Sequence, residues 1–466
     1  MSFLAVSILS AFFWSLPYLT SLWVPAVFLA LTPVLYLVYS RRPYGLKYFI
    51  LIGIIASFVS LYTVRHYSLK AYLASVLVTA VFAAAFLLVS KKMVFLSGAG
   101  NLSLFIPPAV WTTLLVAFNF QSFLTGAFDM GIALPYSAPL IWYTGSVGIT
   151  FLIILWSSAL AKFLAQKDKF SITVLLMVTA VLSVSVYYSM EKDIKSLAAK
   201  DEPVRIALVQ NNIAESWEWL QQNPYRVLKV NQDLTREAEE DSPDIIVWPE
   251  YSLPIDIVNS HAAVRGAVSE IARDGKAELV MGSVLFDRDS GWHEDVAVVM
   301  DDKGKIIDTR SSVNPAPFNR FTKKDQAELK PVERFGTVIC WEELNPDISR
   351  GYVNNGAEFL LSLTNNQDLD KTRLKYFAPF YSRARAAENM RYYARSANTG
   401  LTQVVDPLGR VVKYLAPGIS SVLTAEVYPI KKKTFYTEKG PLVVVLVNIL
   451  VGIFSFLSFL KRKSYF

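Results

Sequence analysis

Apolar residues run almost without interruption from residue 1 to residue 190, then thin into short patches divided by polar stretches. Seven segments in the first part, roughly 2–16, 18–40, 47–64, 70–90, 93–118, 139–161 and 170–189, each come near the ~20 residues that a helix needs to cross the hydrocarbon core of a bilayer. The first ends at Pro17 with no small-residue cleavage site, and a second apolar span follows at once, so it reads as an uncleaved helix. Pro107 and Pro108 fall inside the fifth span and predict a broken helix there. An eighth apolar segment, about 441–460, precedes Lys461-Arg462-Lys463.

Between these parts the period changes. Short Val-, Ile- and Leu-rich runs alternate with amphipathic stretches. The pattern predicts strands at Val204 to Gln210, Asp244 to Trp248, Glu278 to Phe286, Val296 to Met300, Ile306 to Thr309, 337 to Cys340 and Glu358 to Leu363. Helices are predicted over 222–241, 261–274, 346–356 and 375–397, and a last hairpin over Leu401 to Val405 and Val411 to Tyr414. Continuous apolar strands alternating with helices predict an α/β domain whose sheet is covered on both faces. In such folds ligands bind beyond the carboxyl ends of strands, where Glu250 and Cys340 both fall. The predicted division is a polytopic transmembrane domain of about seven helices over 1–190, an α/β domain over 200–435 and a C-terminal transmembrane helix over 440–461.

Charge adds an orientation. The 466 residues carry a formal net charge of +7. The basic residues cluster beside the apolar segments, so the excess reads as membrane topology and not as a nucleic-acid surface. With the N-terminus in the cytoplasm, Arg41-Arg42, Lys91-Lys92, the 162–169 segment and Lys461-Arg462-Lys463 all fall on the cytoplasmic side. The 200–435 domain is then extracytoplasmic.

One cysteine excludes a disulfide framework, and three scattered histidines, His66, His261 and His293, argue against a zinc site and against a Cys–His or Ser–His pair. No metal or organic cofactor is implied. The lone cysteine ends the run Gly336-Thr337-Val338-Ile339-Cys340-Trp341-Glu342-Glu343. A thiol in that place is either a buried small hydrophobe or a nucleophile activated by a carboxylate or a lysine.

The motifs bear on that choice. Val247-Trp248-Pro249-Glu250-Tyr251-Ser252 and Val338-Ile339-Cys340-Trp341-Glu342 resemble the first two signatures of the nitrilase (carbon–nitrogen hydrolase) superfamily. Arg383 to Asn389, Arg395 to Gly400 and Asp406 to Arg410 resemble its third region, in the same order. Set between an apolar bundle and a final helix, the domain resembles the apolipoprotein N-acyltransferase branch. The resemblance implies an αββα sandwich on the outer face of the cytoplasmic membrane, in a protein expected to be a monomer. It implies Cys340 as nucleophile, Glu250 as general base and Glu342 as a supporting acid, with a backbone-bonding turn as the other reading of Glu342. The reaction implied moves an acyl chain from a phospholipid, through a cysteine thioester, to the N-terminal amine of a lipoprotein or another amine acceptor. A membrane-tethered amidase and an inactive binder of lipid or lipoprotein are the alternatives.

The family's catalytic lysine falls on Ser312, counted from Gly304 or back from Pro317-Phe318. The branch's further glutamate falls on Arg320, and its Asn-Asp-Ala-Trp-Phe run is here Asn365-Asn366-Gln367-Asp368-Leu369. Lys323, Lys324, Arg310 or Arg320 replaces the lysine, or the site works with another electrostatic arrangement, or it does not react.

Overall fold

The structure is a computed structural model. It describes residues 5–13 in part, 23–40, 46–60, 69–98, 100–117, 128–197, 202–259, 261–286, 293–315, 329–367, 375 and 378–463. They fall in two compact units, one of Met1–Glu191 and Lys439–Phe466, the other of Lys192–Asp370 and Lys375–Glu438.

The first unit is helical. Its N-terminal part comprises α1 (Trp23–Ala30), α2 (Thr32–Tyr39), α3 (Leu46–Ser60), α4 (Leu69–Leu96), α5 (Ile106–Ala117), α6 (Leu140–Gln166) and α7 (Lys169–Glu191). Among the described residues four helical spans are long and apolar enough to cross a membrane: Tyr72–Leu96, Leu140–Gln166, Lys169–Glu191 and Leu442–Arg462. Two sequence expectations are corrected. No break separates 70–90 from 93: α4 runs through Lys91-Lys92 to Leu96, and the chain turns only at Gly98, whose φ is +81°. A lysine stem is a good helix former and Lys91 Nζ reaches Leu37 O at 3.0 Å, so the charge does not end the helix. Nor do Pro107 and Pro108 break a helix. They lie in the first turn of α5, where the missing N–H groups have no intrahelical partner to lose. The break lies instead in α6, at Gly145 with φ +66°. There Asp129 accepts Ser146 Oγ at 2.5 Å and Thr150 Oγ1 at 2.7 Å, so side chains satisfy the irregular segment. The first predicted span, 2–16, lies largely outside the described residues.

The second unit holds two sheets. One has the order β11-β1-β2-β3-β4-β5 and the other β10-β9-β8-β7-β6. The strands are β1 (Val204–Gln210), β2 (Ile245–Val247), β3 (Glu278–Phe286), β4 (His293–Met300), β5 (Ile306–Ser311), β6 (Phe335–Ile339), β7 (Phe359–Thr364), β8 (Tyr393–Ala397), β9 (Thr402–Val405), β10 (Val411–Leu415) and β11 (Ser421–Val427). The helices are α8 (Trp217–Gln222), α9 (Pro224–Glu239), α10 (Ala262–Gly275), α11 (Pro346–Asn354), α12 (Pro379–Asn389) and α13 (Phe435–Lys439). The last helix, α14 (Leu442–Lys463), returns to the first unit and packs on α5 and α6.

Strand alternation builds the layers. Ile206, Leu208, Val247, Val280 and Val299 of the first sheet meet Phe335, Ile339, Phe359, Leu361 and Val404 of the second in one buried core. Their alternates, such as Ile246, Leu279 and Val298, pack under α9 and α10. Val338, Leu360 and Tyr393 pack under α11 on the far side. This is an αββα sandwich, built on an α/β pattern as the sequence predicted.

One predicted helix is wrong in its second half. Residues 375–397 are not continuous: α12 ends at Asn389, Met390 takes φ +52°, and Tyr393–Ala397 form β8, parallel to β7. Both faces of β8 are buried, so its side chains carry no alternation that would mark a strand. The pattern also missed β11, which pairs antiparallel with β1.

Candidate functional site

Glu250 lies three residues past the end of β2, in the first sheet. Trp248 anchors the approach through a buried Nε1–H bond to Thr235 Oγ1 at 2.9 Å. Tyr251 turns the chain with φ +58°, and Leu253 N then donates to Gly282 O at 3.0 Å. Only glycine fits at 282: a Cβ there would lie 2.5 Å from Glu250 Cα. The Glu250 residue is 4% exposed. Asn365 N, just past β7, donates to Oε2 at 2.7 Å. Glu250 also hydrogen-bonds Asp295, Cys340 and Tyr251. Burial pushes its carboxyl up to about 7, against the pull of these bonds.

Cys340 lies one residue past the end of β6, in the second sheet, and it is partly exposed. Its φ is +45°, a left-handed conformation that is unfavourable for any residue with a Cβ. The turn swings the side chain out of the strand direction. Sγ lies 3.8 Å from Asn365 O, and the thiol hydrogen-bonds Glu250. Burial pushes the thiol above its usual range, and the charge and hydrogen bond of Glu250 push it further. A thiol with that neighbour attacks only as its proton leaves, so the arrangement suits general-base transfer to Glu250 and not a stored thiolate.

Glu342 is close by but differently employed. It is fully buried and accepts five bonds. Arg310 grips it with both terminal nitrogens, Nη1 to Oε2 and Nη2 to Oε1, each at 2.7 Å. Val313 N and Ile339 N donate to it at 2.8 Å each, and Ser312 Oγ at 3.3 Å. With its lone pairs engaged, Glu342 holds β5 to the turn that carries Cys340, which is the backbone-bonding reading of this residue. The neighbouring Glu343 takes Arg395 Nε at 3.1 Å and Ser362 Oγ at 2.6 Å, and Arg395 Nη2 donates to Asn366 Oδ1 at 2.9 Å. This second network fixes the 365–367 segment that supplies Asn365 N.

The structure thus brings Glu250 and Cys340 together and puts Glu342 behind Cys340. Ser312, where the resemblance places a lysine, is buried and donates to Glu342. Arg310 is engaged by Glu342 and is not a free clamp for an oxyanion. Phe318, Arg320, Lys323 and Lys324 lie outside the described residues. Two polar groups at the site had no prior signal: Asn365, visible only as part of a departure from a family run, and Asp295.

Residues 205–429 match the carbon-nitrogen hydrolase family model. Among curated proteins, the apolipoprotein N-acyltransferase of Geobacter metallireducens is 23% identical over 327 residues, 64% of this chain and 62% of that one. The protein of the same name from Shewanella oneidensis is 25% identical, over 69% of this chain and 66% of that one. The one from Pseudomonas paraeruginosa is 26% identical, over 51% and 50%. The chain therefore spans about half to two thirds of the length of the curated relatives it matches. Among solved structures, an amidase from Nesterenkonia sp. aligns with 50% of this chain and 94% of its own, at 20% identity and a TM-score of 0.41. Saccharomyces cerevisiae Nit3, of branch 10 of the nitrilase superfamily, aligns with 50% and 93%, at 18% identity and a TM-score of 0.42.

Proposed function

We propose that this chain is a membrane N-acyltransferase that carries an acyl group on Cys340 and delivers it to the N-terminal amine of a lipoprotein. The observation that carries the reading is the thiol–carboxyl pair at the ends of β6 and β2, with Cys340 hydrogen-bonded to Glu250. The named relatives support the substrate class, and the four candidate spans support the membrane setting.

In the first half-reaction Sγ attacks the ester carbonyl of a phospholipid. The S–H bond breaks as Glu250 takes the proton, and a C–S bond forms. The tetrahedral adduct collapses, the ester C–O bond breaks, and Glu250 returns the proton to the departing lysophospholipid oxygen. In the second, the α-amine attacks the thioester, Glu250 takes one N–H proton, and the C–S bond breaks as the thiol is restored. Basic clusters flanking the apolar segments support a hydrolase-like domain on the extracytoplasmic face of the cytoplasmic membrane.

Intact mass of the purified chain after incubation with phospholipid tests the reading. The expected product is an added acyl mass that hydroxylamine removes and that C340A and E250Q fail to form. Ammonia release from simple amides, with no such adduct, would favour an amidase. A thiol that neither acylates nor alkylates at neutral pH would favour an inactive binder.

A further inference from the structure

Asp295 stands on the inner face of β4, beside the site but outside every motif. Its backbone carbonyl accepts Ser312 N at 2.8 Å, so the two residues are cross-strand neighbours. The Asp295 residue is 3% exposed, and Oδ1 has no donor among the described residues. Its carboxyl lies within hydrogen-bond range of that of Glu250. Two carboxylates cannot bond to each other; one must hold a proton.

The charged and titratable groups facing Asp295 come from each surrounding element. They are Glu250 and Tyr251 past β2, Cys340 and Glu342 past β6, and Arg310 on β5. Among the described residues Arg310 is the cation of the set, and both of its terminal nitrogens are held by Glu342. The Glu342–Arg310 pair cancels, which leaves two buried carboxyls facing each other where the family pattern would place a lysine at Ser312.

We infer that Asp295 and Glu250 share a single proton, with Asp295 a positioning residue that donates to Glu250 and keeps it ready to accept the thiol proton. The inference rests on the Glu250–Cys340 reading above. When Sγ attacks, the S–H proton passes to Glu250, the Asp295 proton stays on Asp295, and Glu250 later gives its new proton to the leaving group. The charge of this pair is thus managed by one shared proton. Burial pushes both carboxyls up, and Glu250 pushes that of Asp295 further while the bond from Asp295 pulls Glu250 back down, as expected if Asp295 is the one that keeps the proton.

The test is the rate of iodoacetamide alkylation of the full chain in detergent, followed by intact mass from about pH 5 to 9 against C340A as blank; with one cysteine in the sequence, every thiol adduct is at position 340. The wild-type profile is expected to show two inflections belonging to the carboxyl pair as a unit. D295N is expected to show one, with its alkaline limb moved to lower pH by about one unit or more, because the second negative charge that the wild-type pair gains on losing its shared proton cannot form beside the thiol. If D295N does not melt cooperatively, D295S, which still donates through its hydroxyl, is read in the same way. A D295 variant whose profile superimposes on that of the wild type overturns the inference while E250Q still alters the profile. If E250Q also superimposes, the Glu250–Cys340 reading falls and the inference falls with it.

Discussion

Glu250 is buried and its carboxyl is held up at about 7, against an ordinary value of 4.5. The folded chain therefore grips this proton more tightly than the unfolded chain does. The stability that follows is fully present below the unfolded value, near pH 4.5, and is lost as pH rises through about 7. Glutamine has no proton to lose. E250Q is expected to match the wild type in denaturant melts at pH 4.5 and to become the more stable protein by about 3 kcal/mol near pH 7.5. Equal pH slopes for the two proteins would refute it. At this scale the places of Cys340 and Glu250 were legible, since one is the sole thiol and both follow short apolar strands. Asp295 is hidden by trimming, and so is the tie of Arg310, named only as a stand-in for the lysine, to Glu342. A strand taken to start at Val296 and another taken to end at Thr309 leave these two polar residues outside, whereas β4 starts at His293 and β5 runs to Ser311. Polar residues at strand ends look solvated until the partners that bury them, distant in sequence, are known. Glu342 was expected as a supporting acid beside the thiol, and no local pattern announces its five donors.

At the scale of elements, the turn after β6 holds a residue with a Cβ at φ +45°. A non-glycine residue held there costs on the order of 1 kcal/mol, which glycine does not incur. C340G is expected to be more stable than C340A by about 1 kcal/mol, although both lack the thiol. Chemical denaturation at one pH checks it, and a C340A that equals or exceeds C340G would show that the turn is unstrained. The same scale holds the main misreading of the fold. From Pro379 the helical period is clear, but nothing in Tyr393-Ala394-Arg395-Ser396-Ala397 signals its change. Arg395 is buried with Glu343, so even its charge does not mark an outer face. A strand covered on both sides loses its period of two, and its identity is set by β7 and β9, on which it pairs.

At the scale of the molecule, the division into an apolar helical part and an α/β part was legible because bilayer and water impose such different compositions. Individual helix limits were less so, since within a continuously apolar stretch only backbone breakers mark an end, and Gly98 proved a better marker than Lys91-Lys92. The basic clusters lead to a topological prediction. In spheroplasts, protease added outside is expected to cut between residues 200 and 435 and to leave a tag placed after Phe466 intact. Protection of the 200–435 domain would reverse the proposed orientation.

Glu250 rides on one sheet and Cys340 on the other, and between the two lies the layer of Val247, Val280, Phe335, Phe359 and Leu361. The thiol-to-carboxyl distance is therefore a caliper closed by that layer. A methylene removed at Phe359 or Leu361 shifts the jaws before it melts the domain. Seam variants should lose thiol reactivity at temperatures where their circular dichroism is still native, while equal-sized truncations under α9 or α10 leave the caliper reading where it was.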